Sequence, residues 1–554
     1  MNVDLYPEKA QYISNEKVYL IADISQDVNN LYEASIQIYY LSNMVKEERV
    51  KLKPGKNKIE IGRFDSIFAG YGAQISIFGT EEESLTAYTA FDVVSDPGKS
   101  IRYGFLSDFS EKDGDMEDVD NLRKLHINMV QFYDWSYRHD ELVAPKNSYT
   151  DMMDKEIDLE IIRKKITFLK KYGMKPMAYG AVYAASKDFY NKHEDWAFYT
   201  GNDEVFKFID TFYIMNIAKE CPWHEHIIKQ YKEAVEKVGF SGIHMDTYGF
   251  PKTAFSKYEG QSKLIKLGEE FATLINDTKE SLDEIDEDTY LIFNNVGNWP
   301  VEPVGQSKQA AIYVEVWNPY ERYFHIKQII QDARKASNNK KPVILAAYLA
   351  PFRLEELDKA GYAAYILTAA IVSNGGYHLL LGEENAVLTQ GYYSDYSKLD
   401  SLQSEILRKY YDFMIRYMNL FHDTTMRDVS MTHMGWDNYE YQCNFDNWSS
   451  YGEANKIWLT LRENDFYKSI SMINLCGCKD DLWNKGKDKP VIQKGMQFTV
   501  FVDKNIKGIY YASPDQKDSK SYSIDFRYVN TDKGKFVQFD VPDLVIWSLI
   551  YIEL

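Results

Sequence analysis

The chain has 554 residues, 45% of them apolar, enough for several buried cores at roughly 100–200 residues per domain. A net charge of −19 repels a phosphate backbone and excludes nucleic acid as a natural partner. Four cysteines are too few for a disulfide framework, and no run of about 18 apolar residues exists to span a membrane.

The N-terminus, MNVDLYPEKAQY, has no basic region followed by an apolar stretch, so no signal peptide is visible. Residues 1–98 read as all-β. KVYLIADIS, ASIQIYYL and AYTAFDVV are short and rich in β-branched and aromatic residues, with Pro, Gly and Asn punctuating them as in LKPGKNK. Strands at this spacing, with no helix between them, predict an immunoglobulin-like β-sandwich. SDPGKS at 95–100 marks its end.

From 99 to 423 the pattern alternates strand and helix, which implies parallel βα units. Strand candidates fall at 102–109, 128–135, 175–183, 242–249, 290–296, 311–317, 342–349 and 377–384. Between the third and fourth, HIIKQYKEAVEKVG puts Ile227, Tyr231, Val235 and Val238 on one helical face. Eight strands over about 300 residues predict a (β/α)8 TIM barrel. Residues 424–554 return to β texture, from YEYQCNF to the final VIWSLIYIEL, and predict an antiparallel β-sandwich. Cys476-Gly-Cys478 reads as two reduced structural thiols. His224 and His226, at i and i+2 of a helix, point apart and form no metal pair. The acidic run EKDGDMEDVD at 111–120 lacks calcium-loop spacing and reads as a solvated helix start. No metal site and no cofactor is expected.

Barrel chemistry lies at the C-terminal ends of the strands. Here those ends carry Asp108, Asp134-Trp135, Tyr179, Tyr183, Asp246, Asn294-Asn295, Glu315 with Trp317, Tyr348 and Glu383-Glu384. Carboxylates, amides and rings without a His/Cys cluster or a Gly-rich phosphate loop suit a neutral polyhydroxylated ligand. Asp246 in GFSGIHMDTYG and Glu315 in AAIYVEVWNP each end an apolar strand, where a carboxylate is costly without a task or a partner. Two such groups in different protonation states are what glycoside hydrolysis needs. A buried structural ion pair is the alternative.

Six blocks then resemble glycoside hydrolase family 66, whose members are endo-dextranases and cycloisomaltooligosaccharide glucanotransferases. They are QFYDWSYRHD (131–140), MAYGAVYAA (177–185), GFSGIHMDTYG (239–249), NNVGNW (294–299), VEVW (314–317), and LLLGEEN with YYSDY (379–396). The resemblance implies Asp246 as nucleophile and Glu315 as general acid/base. It offers Asp134, Trp135, Tyr137, Arg138, His139, Tyr179, Tyr183, Asn295, Trp299, Trp317 and Glu383 as sugar contacts, and the strand-end positions add Asp108 and Tyr348. The expected reaction is retaining endo-hydrolysis of α-1,6-glucosidic linkages in dextran by a monomer acting outside the cell or on its surface; a cytoplasmic enzyme taking imported isomaltooligosaccharides stays open. Cyclising members of the family typically carry a carbohydrate-binding module inserted in the barrel. Residues 350–376 hold one helix and no β-rich insert, which favours hydrolysis. The alternatives are a cyclising glucanotransferase, a hydrolase of another α-glucan, and a non-catalytic glycan-binding surface protein.

Overall fold

The computed structural model describes residues 2–25, 31–78 and 85–554. Its centre is a parallel sheet of eight strands in sequential order: β1 (Tyr103–Leu106), β2 (Met129–Phe132), β3 (Lys175–Ala181), β4 (Gly242–Asp246), β5 (Tyr290–Val296), β6 (Ala311–Glu315), β7 (Val343–Ala346) and β8 (Tyr377–Leu379). Each lies inside a segment expected from sequence. A parallel bridge between Phe105 and Gly382 brings β1 against the chain just beyond β8, so the sheet closes into a barrel. That seam needs glycine, because a Cβ at residue 382 would stand 2.5 Å from the Phe105 ring.

Helices α1 (Glu117–Lys124), α2 (Leu159–Lys171), α3 (Pro222–Glu233), α4 (Leu267–Asp283), α5 (Tyr323–Ala336), α6 (Leu357–Ser373) and α7 (Ser401–Arg416) connect or follow the strands. Only β5 lacks a full helix after it, being followed by the single turn Val301–Val304. The apolar face foreseen on α3 is buried at Ile227, Tyr231, Val235 and Val238. Its last turn, Ala234–Val238, widens to a π-turn that stops at Gly239 with φ 100°. The β3–α3 and β4–α4 connections carry short antiparallel ladders, such as Phe198–Tyr199 on Thr253–Ser256, that sequence periodicity did not reveal.

Before the barrel lie a three-stranded sheet (Asn2–Pro7, Lys17–Ser25, Gly55–Arg63) and a five-stranded one (Tyr12–Ile13, Leu85–Val94, Phe68–Ile77, Tyr32–Tyr40, Asn43–Leu52). Leu20, Ile36, Ile75 and Phe91 belong to the core they share. After the barrel, a sheet centred on Tyr467–Asn474 and Trp547–Glu553 joins a four-stranded sheet containing Met496–Phe501 and Gly534–Val541 around a core of their own. Among the described residues no helix is long and apolar enough to cross a membrane.

Helix α7 joins the three regions. An Asp400–Gln403 capping box starts it. Asp412 accepts hydrogen bonds from Thr89 Oγ1 and the Ala90 N–H, and His126 Nε2 lies 2.8 Å from the same oxygen. Gly70 lets the helix approach the N-terminal sheet, since a Cβ there would fall 1.8 Å from the Ile415 carbonyl oxygen. On its other side Tyr410 and Phe413 pack on Trp547.

Beneath the barrel Arg102 and Asp92 form a fully buried pair, with contacts of 2.8 and 2.9 Å from the two terminal nitrogens. The other guanidinium hydrogens go to His126 O, Ala10 O and Ser100, so every donor is used. Removing one member of such a pair strands the other charge without water. Asp92→Ala is therefore expected to destabilise the fold by about 3–5 kcal/mol, read as a lower urea midpoint at unchanged slope.

Candidate active site

Alternate residues of each barrel strand face the axis. On β4 these are His244 and Asp246, on β5 Asn294, and on β6 Tyr313 and Glu315. His244 Nδ1 stands 3.0 Å from the Tyr103 hydroxyl, and its ring lies edge-on to Tyr313, so a layer of rings fills the barrel below the carboxylates. Above it, Asn294 on the intervening strand donates from one nitrogen to both acids, 2.7 Å to Asp246 Oδ1 and 3.1 Å to Glu315 Oε2. The two oxygens therefore lie within about 6 Å of each other, a spacing compatible with the roughly 5–5.5 Å between carboxyl groups of a retaining pair.

Each acid also accepts from a phenol. Tyr179 donates to Asp246 Oδ2 at 2.7 Å. Tyr348 donates to Glu315 Oε1 at 2.7 Å and lies 3.0 Å from the Tyr393 hydroxyl, which lies 2.9 Å from that of Tyr313. Tyr133 stacks on Tyr393 at 4.5 Å. Each carboxylate keeps a solvent-facing edge but sits deep in the barrel mouth. Burial is the largest influence on both and raises both. Asp246 is pushed up to about 7 by burial and then by Glu315, against the hydrogen bonds from Asn294, Tyr179 and the Thr247 backbone. Tyr348, Trp317 and Asn294 act against the rise at Glu315. Carboxyls this close disfavour ionising together, so their titrations are linked.

The other expected site residues divide into groups. Asp134 sits at the end of β2 with φ 48°, its carboxyl pushed up to about 8 by burial and by the charges of Asp151 and Asp246. It takes no hydrogen bond from the described residues, and in its neutral form can donate to a ligand. His139 lies against Phe212 and Tyr179, its pKa lowered to about 4 by burial. Trp317 is 42% exposed and edge-on to Tyr348. Asp108 accepts from Tyr396 at 2.8 Å and pairs with Lys155.

Others support the site from behind. Trp135 is fully buried and donates to the Tyr179 carbonyl at 3.0 Å. Tyr183 donates to Phe250 O and accepts from the Tyr248 N–H, fixing the loop after Asp246. Asn295 points away from the axis and donates to Tyr313 O. Glu383 accepts from the Ser107 and Asp108 N–H groups and pairs with buried Lys165 at 3.0 Å, which occupies both its oxygens. Arg138 folds over the Tyr137 ring and donates to Thr150 O. Trp299 packs edge-on to Phe271, under Lys252.

Sequence reasoning set Asn294 among the strand-end residues but chose Asn295 as the contact, and gave Tyr393 no role of its own. Strand parity from Asp246 and Glu315 selects Asn294 over its neighbour, whereas Tyr393 lies in a loop without periodicity. A cavity of about 1020 Å³ lies at the opposite end of the barrel, beside Tyr290, Pro342 and Tyr377, and contains neither acid.

A barrel with two carboxyls bridged at its C-terminal mouth and ringed by phenols is the arrangement of a glycoside-cleaving enzyme. The chain belongs to glycosyl hydrolase family 66, whose model matches residues 7–551. A cycloisomaltooligosaccharide glucanotransferase of Niallia circulans is 22% identical over 99% of this chain and 72% of that protein. A dextranase of Streptococcus salivarius is 20% identical over 79% of this chain and 60% of that protein. The solved structure of a Paenibacillus sp. cycloisomaltooligosaccharide glucanotransferase with cycloisomaltoheptaose superposes with a TM-score of 0.89 over 99% of each chain, at 20% identity.

Two raised carboxyls make the folded site unfavourable to charge, so this contribution is present at acid pH and lost as pH rises through the folded pKa range. Glu315→Gln removes one charge from the pair. It is expected to stabilise the protein by on the order of 1–2 kcal/mol at pH 8 and by much less at pH 5. Thermal melts at the two pH values measure this; an equal shift at both would contradict it.

Proposed function

We propose that the protein is a retaining endo-α-1,6-glucanase acting on dextran, with Asp246 as nucleophile and Glu315 as general acid/base. The observation that carries this is the single Asn294 nitrogen bridging two carboxyls in a phenol-lined pocket. The relatives at 22% and 20% identity are by name a cycloisomaltooligosaccharide glucanotransferase and a dextranase, which supports a glucan substrate.

In the first step Asp246 Oδ attacks the anomeric carbon while Glu315 gives its proton to the departing O6, leaving a β-linked glucosyl-enzyme. Asn294 and Tyr179 hold the attacking carboxylate, and Tyr348 holds Glu315. Glu315, now ionised, then takes a proton from water as its oxygen attacks the same carbon and the ester bond to Asp246 breaks, freeing the carboxylate, so the α configuration returns. Repulsion disfavours ionising both carboxyls together; once Asp246 is neutralised as an ester, Glu315 ionises more readily and turns from acid into base.

Cyclisation is the second reading, with the sugar chain's own distant hydroxyl replacing water. It is favoured by the name of the relative matched over 99% of the chain. Against it, the β7–β8 connection here holds only the turn Pro351–Leu354 and α6. We also read the flanking regions 1–98 and 424–554 as two β-sandwiches, the first immunoglobulin-like, around a barrel of residues 99–423, a division supported by their separate cores. Dextran is too large to cross a membrane, which supports action outside the cell or on its surface.

Chromatography after incubation with dextran, starch and pullulan is the deciding experiment. Linear isomaltooligosaccharides from dextran alone are expected, with the α anomer appearing first by NMR. Cyclic products would move the assignment to the glucanotransferase, and cleavage of starch or pullulan but not dextran would overturn the linkage. Glu315→Gln is expected to lower kcat on dextran by about 10²–10⁴-fold. Tyr348→Phe removes a hydrogen bond that favours ionised Glu315, so the alkaline limb of kcat/KM should move to higher pH. A limb that stays in place or moves down would remove Tyr348 from that role.

A further inference from the structure

A cleft of about 620 Å³ opens beside Glu315 and is walled partly by the C-terminal β-region. Its inner end is Trp317 and Tyr348; its outer wall is Leu482, Trp483 and Asn484. These last three residues belong to the connection between the strands Tyr467–Asn474 and Met496–Phe501, far along the chain from either acid.

That connection is fastened to the barrel loops. Trp483 donates from Nε1 to Tyr320 O at 2.6 Å and from its backbone to Glu321 O at 3.1 Å. The Tyr323 N–H donates to Asp481 O at 3.0 Å, and the Ala350 N–H to Asn484 Oδ1 at 2.9 Å. The Gly486 N–H reaches Glu355 at 2.9 Å, and Lys487 Nζ closes the turn internally on Asp480 and Leu482 O. A segment serving only to cover the barrel would need no aligned open cleft beneath it.

The side of the cleaved bond follows from the carboxylates. The cleft is lined by Trp317, two residues beyond Glu315, and by Tyr348, which is bonded to Glu315. Its lining includes neither acid itself and not Tyr179, the phenol bonded to Asp246. The acid/base faces the departing oxygen, so the cleft extends toward the leaving group. Its chemistry suits a sugar chain: the half-exposed Trp317 ring offers a stacking face, and Asn484 Nδ2 is left to donate to a hydroxyl.

We propose that segment 480–487 of the C-terminal β-region forms the far wall of the leaving-group and acceptor subsites, and that it receives the glucosyl units on the reducing-end side of the cleaved bond. This rests on the α-1,6-glucanase reading above. It gives the C-terminal region a part in choosing where the polymer is cut and whether water or a sugar hydroxyl completes the reaction.

The test compares two substrates. α-Isomaltotriosyl fluoride leaves only fluoride on the acceptor side, whereas isomalto-octaose places sugars there. Asn484→Asp keeps the acceptor for Ala350 but removes the free donor; Leu482→Ala shortens the wall as a second variant. Each should lower kcat/KM on isomalto-octaose by about tenfold, corresponding to 1.4 kcal/mol, and at least fivefold more than on the fluoride. The cut should also move relative to a reducing-end label. Equal losses on both substrates, or no loss on either with unchanged products, would overturn the assignment. A wild type that hydrolyses the fluoride but leaves dextran intact would defeat the α-1,6 reading alone, and the variants would then be scored on whichever glucan it cleaves. A wild type that turns over neither defeats both.

Discussion

Two carboxyl groups facing one amide nitrogen inside a protein form an unfavourable arrangement, and much of this barrel can be understood as support for it. Like charges this close in a partly dry site repel strongly. Asn294 reduces the repulsion by donating to both, and Tyr179 and Tyr348 stabilise one acid each. None of these side chains could hold its place on a loose loop. Asp246, Asn294 and Glu315 lie at the ends of three consecutive strands, where register fixes them to within the tolerance of a hydrogen bond. The ring layer of Tyr103, His244 and Tyr313 below them fills the barrel and denies the acids the water that would relax them.

Support of that kind requires a closed barrel, and closure here depends on few contacts. The seam is one bridge at Gly382, beside the buried Lys165–Glu383 pair. Arg102 and Asp92 fasten the N-terminal sheets under the barrel, and α7 wedges between those sheets and the C-terminal ones. The flanking β-regions thus brace the barrel from below and from the side, while the 480–487 connection reaches its upper rim.

The eight strands, the flanking β-texture and the acid pair were legible in the sequence because each rests on a local signal: an apolar run, a turn, or a carboxylate ending a strand. What escaped depends on contacts made only in three dimensions. Trp135 and Glu383 occupy strand ends as a ligand contact would, yet the chain packs over the one and pairs the other with Lys165. Asn295 and Asn294 are chemically identical neighbours separated only by which way the pleat turns. Tyr393 enters from an irregular loop, and the shortened helix after β5 and the π-turn after α3 lack periodic signatures. Asn484 is distant in sequence and lines a cleft with Trp317 and Tyr348 only because its loop is bonded to the chain after β7.

The phenols deserve a last consequence. Burial lifts the pKa values of Tyr133, Tyr179, Tyr313, Tyr348 and Tyr393 well above that of a free phenol, so each stays a neutral hydroxyl while the carboxyls titrate. The hydrogen-bonding wall around Asp246 and Glu315 therefore keeps its charge, and changes of charge in the pocket fall to its carboxyls, Asp134 included. In electrical terms the phenols are the insulation and the carboxyls the only contacts that switch.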